Sequence, residues 1–507
     1  MIASKKWSLR KGIVCGVAFL VSSWAVAQDY VITDFGAKGD SNTVNTNSIQ
    51  QAIDKAALKG GTVVVPAGVF ITGTISLKSN VTLQLNKNAV LKGVAKADAY
   101  PAKTISYPFL SVSPQWSYSL VYAGDVENIA IKGEGTIDGS GGDTVFYWRE
   151  HMTNVNVKRP FVLLIVGCKN VNIEGVTLKN SPMWMQRYIA CDFLRIKGIT
   201  VFNHVNANND GLDIDDCHNV IVSDCVIDAD DDALCFKSEG RRGVRNAVVT
   251  NCILSSHASA FKMGTGSAGG FQSVQFSNSV IRPSLATNMM HVFKQKGGLT
   301  GIDLASTDGG LLKDVNIQNI SIDSLENPIF IKLGNRLRTS AKDNIGVVEG
   351  VHFSQIAIKN AGPIASAITG FPGNYVKDIS FRDIFMEHAG SGAAKDTSLA
   401  VPENSNGYPG CRMFQRKLPA TGFYVRHVKN IQFNNIHVKL TGNDVRPAIV
   451  CDDVEALEVS GLKYSAVSGQ APEMLLIARS KDVVVECRER DASRIKQINN
   501  TDVTIKY

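Results

Sequence analysis

Nine aspartates fall between Asp210 and Asp232, from Asn208-Asn209-Asp210-Gly211 to Asp230-Asp231-Asp232-Ala233. Unpaired buried charge is costly, so a cluster this dense needs a metal, shared protons or a substrate. Asp210 precedes Asp231 and Asp232 by 21 and 22 residues. In a chain of stacked coils that step is about one coil, so carboxylates from neighbouring coils would converge on one patch. Two carboxyl groups flanking one bond are what glycoside cleavage requires.

The elements that must position these residues show as a repeat. Segments 170–176, 193–199, 219–225, 246–252 and 272–278 share the apolar-polar alternation of short strands. The first four are spaced by 23, 26 and 27 residues. The pattern resumes at 315–320, 351–356, 376–381, 428–433, 454–459 and 483–485. A repeat of this length without helical periodicity predicts an all-β chain wound as a right-handed parallel β-helix. Each coil would bury its apolar positions on the next, about 4.8 Å away. Asn80, Asn128, Asn170, Asn219 and Asn430 precede strands and suit turns that bond their own backbone.

The ends and interruptions differ from the coils. Residues 46–59 carry Ile49, Ala52, Ile53 and Ala56 at helical spacing and stop at Gly60-Gly61, as expected of a helix capping the first coil. Residues 389–421 are rich in Gly, Ser, Pro and Asn and hold Tyr408, Phe414 and Arg416; a long loop near the cleft is expected there.

Bulk properties narrow the setting. Lys5, Lys6, Arg10 and Lys11, an apolar run over 13–24 and Ala25-Val26-Ala27 read as a secretory leader, residues 1–27. A single catalytic domain would then span 28–507, in the periplasm or outside the cell. The leader's apolar run is too short to span a bilayer, and no membrane insertion is expected. Its removal lowers the net charge from +7 to +3, too little for a nucleic-acid partner. Cys15 leaves with it, and Cys168, Cys191, Cys217, Cys225 and Cys252 recur within strand-like segments, as small packing residues would. No Cys-x-x-Cys pair suggests zinc, and neither metal nor cofactor is expected.

Five motifs in order resemble glycoside hydrolase family 28, the polygalacturonase-like enzymes of pectin degradation. Asp34-Phe-Gly-Ala-Lys-Gly-Asp40 resembles the opening motif of pectin-degrading β-helices, and Gly133-Glu-Gly-Thr-Ile-Asp-Gly139 an early-coil signature. Asn180-Ser-Pro-Met-Trp184, Asn208-Asn209-Asp210 and Asp230-Asp231-Asp232 resemble the family's N-S-P-x-W, N-T-D and Q-D-D. The resemblance implies an inverting hydrolase of pectic or related acidic polysaccharide that uses no cofactor. Asp232 would be the general acid, and Asp210 and Asp231 would activate water. Adjacent carboxylates raise one another's proton affinity, which suits an acid near neutral pH.

The other aspartates invite a plainer account. Strand alternation should send some of Asp213, Asp215 and Asp216 to solvent, and Asp224 and Asp228 are expected away from the site. Asp230 replaces the family's glutamine and is expected behind the reacting groups. His257, in Ser256-His257-Ala258, would take the place of the histidine that supports the acid, although its flanking glycines are absent. Asn208, Lys237, Lys262, Arg336 and Arg416 are the candidate substrate-binding residues.

One departure is pronounced. The family's G-I-R-I-K-T holds the arginine and lysine that clamp a uronic carboxylate, for which a guanidinium offers two parallel hydrogen bonds. The matching stretch is Gly301-Ile302-Asp303-Leu304-Ala305-Ser306, with Lys294 and Lys296 nearby. Asp303 and Ala305 replace both cations. Either recognition moves to Lys262, Arg336 or Arg416, or the bound sugar differs, for example a neutral or deoxy sugar attached to an acidic one. This argues against a plain endo-acting enzyme, and the long loops favour exo action. Two other classes remain open: a β-helical polysaccharide lyase whose aspartates hold Ca²⁺, and a non-catalytic carbohydrate-binding β-helix.

Overall fold

The computed structural model describes residues 28–112, 115–147, 157–288, 297–336, 338–339, 344–467 and 472–507. The expected leader, Lys294 and Lys296 lie outside the described residues. Apart from short helical turns and one α-helix, the chain winds as parallel β-coils. Val171 pairs with Leu194, then Val220, Ala247, Val274 and Val315 follow on successive coils. The column continues through Val351, Ile379, Ile431, Leu457 and Val483. All of these side chains are buried, so the sequence repeat is the register of the sheet.

Like residues stack on like within the core. Phe381 lies between Phe353 and Phe433, with ring centroids 4.8 and 5.3 Å apart and planes nearly parallel. The corners are equally regular. Asn80, Asn128, Asn170, Asn219 and Asn430 all take a left-handed backbone, with φ between 56° and 63°. Asparagine tolerates that conformation better than most residues. Asn170 Nδ2 donates to Asn128 Oδ1 and Asn128 Nδ2 to Asn80 Oδ1, both at 2.9 Å, so the turns form a polar ladder. The helix Thr46–Ala57 closes the first coil with Ile49, Ala52, Ile53 and Ala56 fully buried. The nine described cysteines are unpaired and eight are buried; Cys191 N–H donates to Cys217 Sγ at 3.3 Å.

One face of the solenoid departs from the simple inside-outside pattern. Strands Gln186–Ile189, Leu212–Asp215, Leu234–Ser238, Ser259–Ser267, Thr300–Ser306 and Asn327–Leu333 stack in parallel, and nearly every residue in them is buried. Leu212, Leu234, Phe261, Ile302 and Ile329 form the inward column. Arg187, Asp213, Cys235, Lys262, Asp303 and Phe330 form the outward one. Alternation does put Asp213 and Asp215 outward, but that face is covered, so the expected exposure to solvent is wrong. An arm carrying Tyr107, Phe109 and Gln115 folds across it. Tyr107 Oη donates to Asp216 at 2.8 Å, and Gln115 accepts from Arg187 at 3.0 Å.

Residues 389–421 cover the neighbouring coils. Val401, Cys411, Phe414, Leu418 and Ala420 pack on Phe330, Tyr424 and Val450 in a second apolar cluster. Buried Arg446 fixes the loop, donating to Leu418 O at 2.9 Å while paired with Asp444 at 2.7 Å.

Candidate active site

Two asparagines build the turn that presents Asp210. Asn209 Oδ1 accepts from the backbone N–H groups of Val205 and Asn206, and its Nδ2 donates to Ser181 O and Met183 O. Asn203 Nδ2 donates to Asp210 O at 2.9 Å, and its Oδ1 accepts from Ser181 N–H. The motifs at 180–184 and 208–210 are thus two halves of one hydrogen-bonded corner. Neither asparagine stood out among the candidate residues, although Asn209 lies inside a motif.

Backbone ladders then set the spacing of the carboxylates. Gly211 N–H donates to Asp232 O at 2.8 Å, and Ala233 N–H to Ser259 O at 3.0 Å. Asp210 and Asp232 therefore sit at equivalent turns of adjacent coils. The coils approach too closely for a side chain at Gly211: a Cβ there would lie 2.6 Å from Ala233 O.

Asp231 and Asp232 line a cleft of about 440 Å³ with Asn208, Ser259, Lys262, Asp303, Tyr408 and Arg412. Lys262 Nζ lies 2.8 Å from Asp232 Oδ2 and 3.4 Å from Tyr408 Oη. Lys237 Nζ lies 3.1 Å from Asp213 and 3.7 Å from Asp210, over the Trp184 ring at 4.4 Å. Asn208 accepts a hydrogen bond from Arg159 at 3.1 Å.

Burial sets the direction for the carboxyls. Burial, with Asp213 and Asp231 adding repulsion, pushes Asp210 well above the usual carboxylate range. Burial pushes Asp213 up to about 6 against the pull of Lys237, and Asp215 up to about 7 although Arg187 bonds it at 2.6 Å. Burial opposes the charges on Lys237 and Lys262, but the surrounding acidic groups outweigh it and raise both well above the ordinary lysine value.

The remaining candidates separate. His257 is buried, and its Nδ1 lies 2.9 Å from Asp230 Oδ1. His204 lies beside it, its Nε2 2.9 Å from Asp228. His204, Asp230 and His257 are the trio among the described residues whose ligand atoms lie close enough for a metal, within 4.8 Å of one another. The imidazole–carboxylate bonds already account for Asp230 and His257. Asp228 is thus tied to this cluster, while Asp224 is exposed on the outer face.

Arg336 pairs with Asp308, donates to Thr265 O at 2.8 Å and lies 6.0 Å from the Tyr408 ring, behind the cleft wall. Arg416 bonds the backbone oxygens of Ala400 and Lys417, inside the long loop, and does not line the cleft. Arg412 lines it instead, with its Nε 2.8 Å from Glu326. Sequence reading passed over Arg412, and the aromatic density of its loop was the available signal.

The parallel β-helix and its carboxylate-rich cleft fit a carbohydrate-active enzyme, and the family match makes it a glycosidase. The chain belongs to the glycosyl hydrolases family 28, whose family model matches residues 57–332, more than half its length. It is 25% identical over 421 residues to a probable polygalacturonase of Vitis vinifera, a match covering 77% of this chain and 80% of that one. It is 28% identical over 307 residues to an exo-poly-alpha-D-galacturonosidase of Dickeya chrysanthemi, spanning 51% of each. The fold matches the family 28 exopolygalacturonase of Yersinia enterocolitica with a TM-score of 0.63 at 19% identity, covering 94% of this chain and 78% of that one.

Proposed function

We propose that this enzyme hydrolyses glycosidic bonds in a pectic or related acidic polysaccharide by an inverting, exo-acting mechanism with altered sugar specificity. The carrying observation is the pairing of Asp232 with Lys262 in a cleft beside Asp231, with Asp210 at the equivalent turn one coil away. Asp232 is the general acid that protonates the departing oxygen. Asp210 and Asp231 take the proton from the attacking water. A base must be ionised before it accepts a proton; burial works against that form of Asp210, and Lys237, 3.7 Å away, favours it.

Asn208 and Lys262 shape the sugar-binding floor, Lys237 holds Asp210 and Asp213 behind it, and Arg336 steadies Tyr408. Arg412, rather than Arg416, is the guanidinium that lines the cleft, and Glu326 holds it through Nε and Nη2. His257 acts through Asp230 to hold the Asp231-Asp232 turn. The likeness to the Dickeya enzyme and the wall built by residues 408–413 support exo action. A polymeric plant substrate and residues 1–27 support secretion. Lys262 pairs with Asp232, and Lys237 with Asp213 and Asp210, which disfavours the calcium-dependent lyase.

Product analysis in ¹⁸O-water tests the proposal, using pectic and related glycans with Asp232→Asn as control. Labelled, saturated product that vanishes in the variant is expected. Unsaturated, unlabelled product would mean elimination and overturn the hydrolytic reading.

A further inference from the structure

We propose that Asp303 makes the outer part of the cleft a subsite for a neutral sugar, accepting a hydroxyl donor and turning uronate carboxylates away. The proposal rests on the glycosidase reading above and names the sugar class at one position within it.

Asp303 follows Lys262 in the outward column, one coil beyond it, and both line the cleft that holds Asp232. Its Oδ2 accepts from Ser259 Oγ at 3.2 Å. Its Oδ1 is buried and has no hydrogen-bond partner among the described residues. A buried acceptor without a partner is costly, so a ligand that brings a donor is favoured. A sugar hydroxyl is such a donor; an ionised carboxylate has none to give and adds like charge. Lys262 relieves this only in part, because Asp232 holds it at 2.8 Å. Ala305, two residues on, brings no charge either. Leu299 and Met413 supply apolar surface to the same cleft, suited to the carbon face of a ring or to a deoxy methyl group.

The discrimination should depend on pH. The groups around Asp303 are Asp232, Ser259 and Lys262 from the preceding coils, Phe330 from the next, and Tyr408 and Cys411 from the long loop, whose Arg412 also lines the cleft but is paired with Glu326. Burial pushes Asp303 up to about 7, against the pull of Lys262. A protonated Asp303 tolerates a carboxylate and an ionised one repels it, so the preference for neutral rings should grow between pH 5 and 8.

The experiment compares kcat/KM on oligogalacturonides and on the same oligosaccharides after partial chemical reduction of their carboxyl groups, which makes individual rings neutral. Wild type should favour the partly reduced set by about tenfold or more at pH 8, and by less at pH 5. Asp303→Asn should flatten this pH dependence, and Asp303→Lys should reverse the preference. Equal or better cleavage of the unreduced set by wild type, unmoved by Asp303→Lys, would overturn the subsite and leave the hydrolase reading standing. Activity surviving Asp232→Asn on both sets would instead strike at the hydrolase reading itself.

Discussion

Lys262 Nζ lies 2.8 Å from Asp232 Oδ2, and both side chains are almost closed to solvent. A cation so placed holds the carboxyl in position and opposes its protonation, a compromise between alignment and acidity. Lys262→Met should lower kcat by about 10–100-fold through lost alignment. It should also move the alkaline limb of the pH–rate profile upward, because the remaining carboxyl keeps its proton longer. A profile that falls in height without moving would reduce Lys262 to packing.

Lys237 serves a different pair of carboxylates. It lies between Asp213 and Asp210 and is buried with them. Lys237→Met leaves uncompensated buried charge, for which a loss of about 3–5 kcal/mol is expected at neutral pH. The carboxyls escape part of that penalty by taking up protons, so the loss should shrink at pH 5. Denaturant midpoints at the two pH values measure this, and an equal loss at both would refute it.

Raised carboxyl pKa values fix the sign of the site's effect on stability. Unfolded aspartates ionise near 3.9, whereas folded Asp213 holds its proton up to about 6 and Asp215 and Asp303 up to about 7. Between these limits the folded chain binds more protons, so the contribution of these groups to stability falls as pH rises. Asp303→Asn should therefore raise Tm more at pH 8 than at pH 5. Calorimetry at both pH values decides, and a larger gain at pH 5 would contradict the assignment.

Asn209 offers a test of the corner rather than of the chemistry. Its side chain makes four hydrogen bonds to backbone groups, three of them buried. Asn209→Ala should cost about 3 kcal/mol or more, with each bond contributing about 1 and the orphaned partners adding to it. Because Asp210 is the next residue, kcat should fall more than KM rises. A stable variant with unchanged kcat would show that the turn is held by other contacts.

The coils were legible because one column of apolar residues from Val171 to Val483 repeats on every turn, and because asparagine marks the left-handed corners. The placing of Asp210 and Asp232 at equivalent turns of adjacent coils was legible from a spacing that matches one coil. Asp213 and Asp215 were misread because alternation says which face a residue takes, not whether another segment covers it. The covering arm pairs with the site across more than a hundred residues, as Tyr107 does with Asp216. Arg416 was misread for a related reason. A long loop without periodicity does not reveal which arginine turns inward to bond its own backbone and which lines the cleft.

The stereochemistry of the first product tests the central claim most directly. Proton NMR can follow the anomeric signals during the first minutes of cleavage, before mutarotation mixes them. Direct attack of water activated by Asp210 and Asp231, opposite a bond protonated by Asp232, predicts initial product of the anomeric configuration opposite to the cleaved bond. Initial product with the original configuration would show a covalent intermediate and contradict the assigned roles.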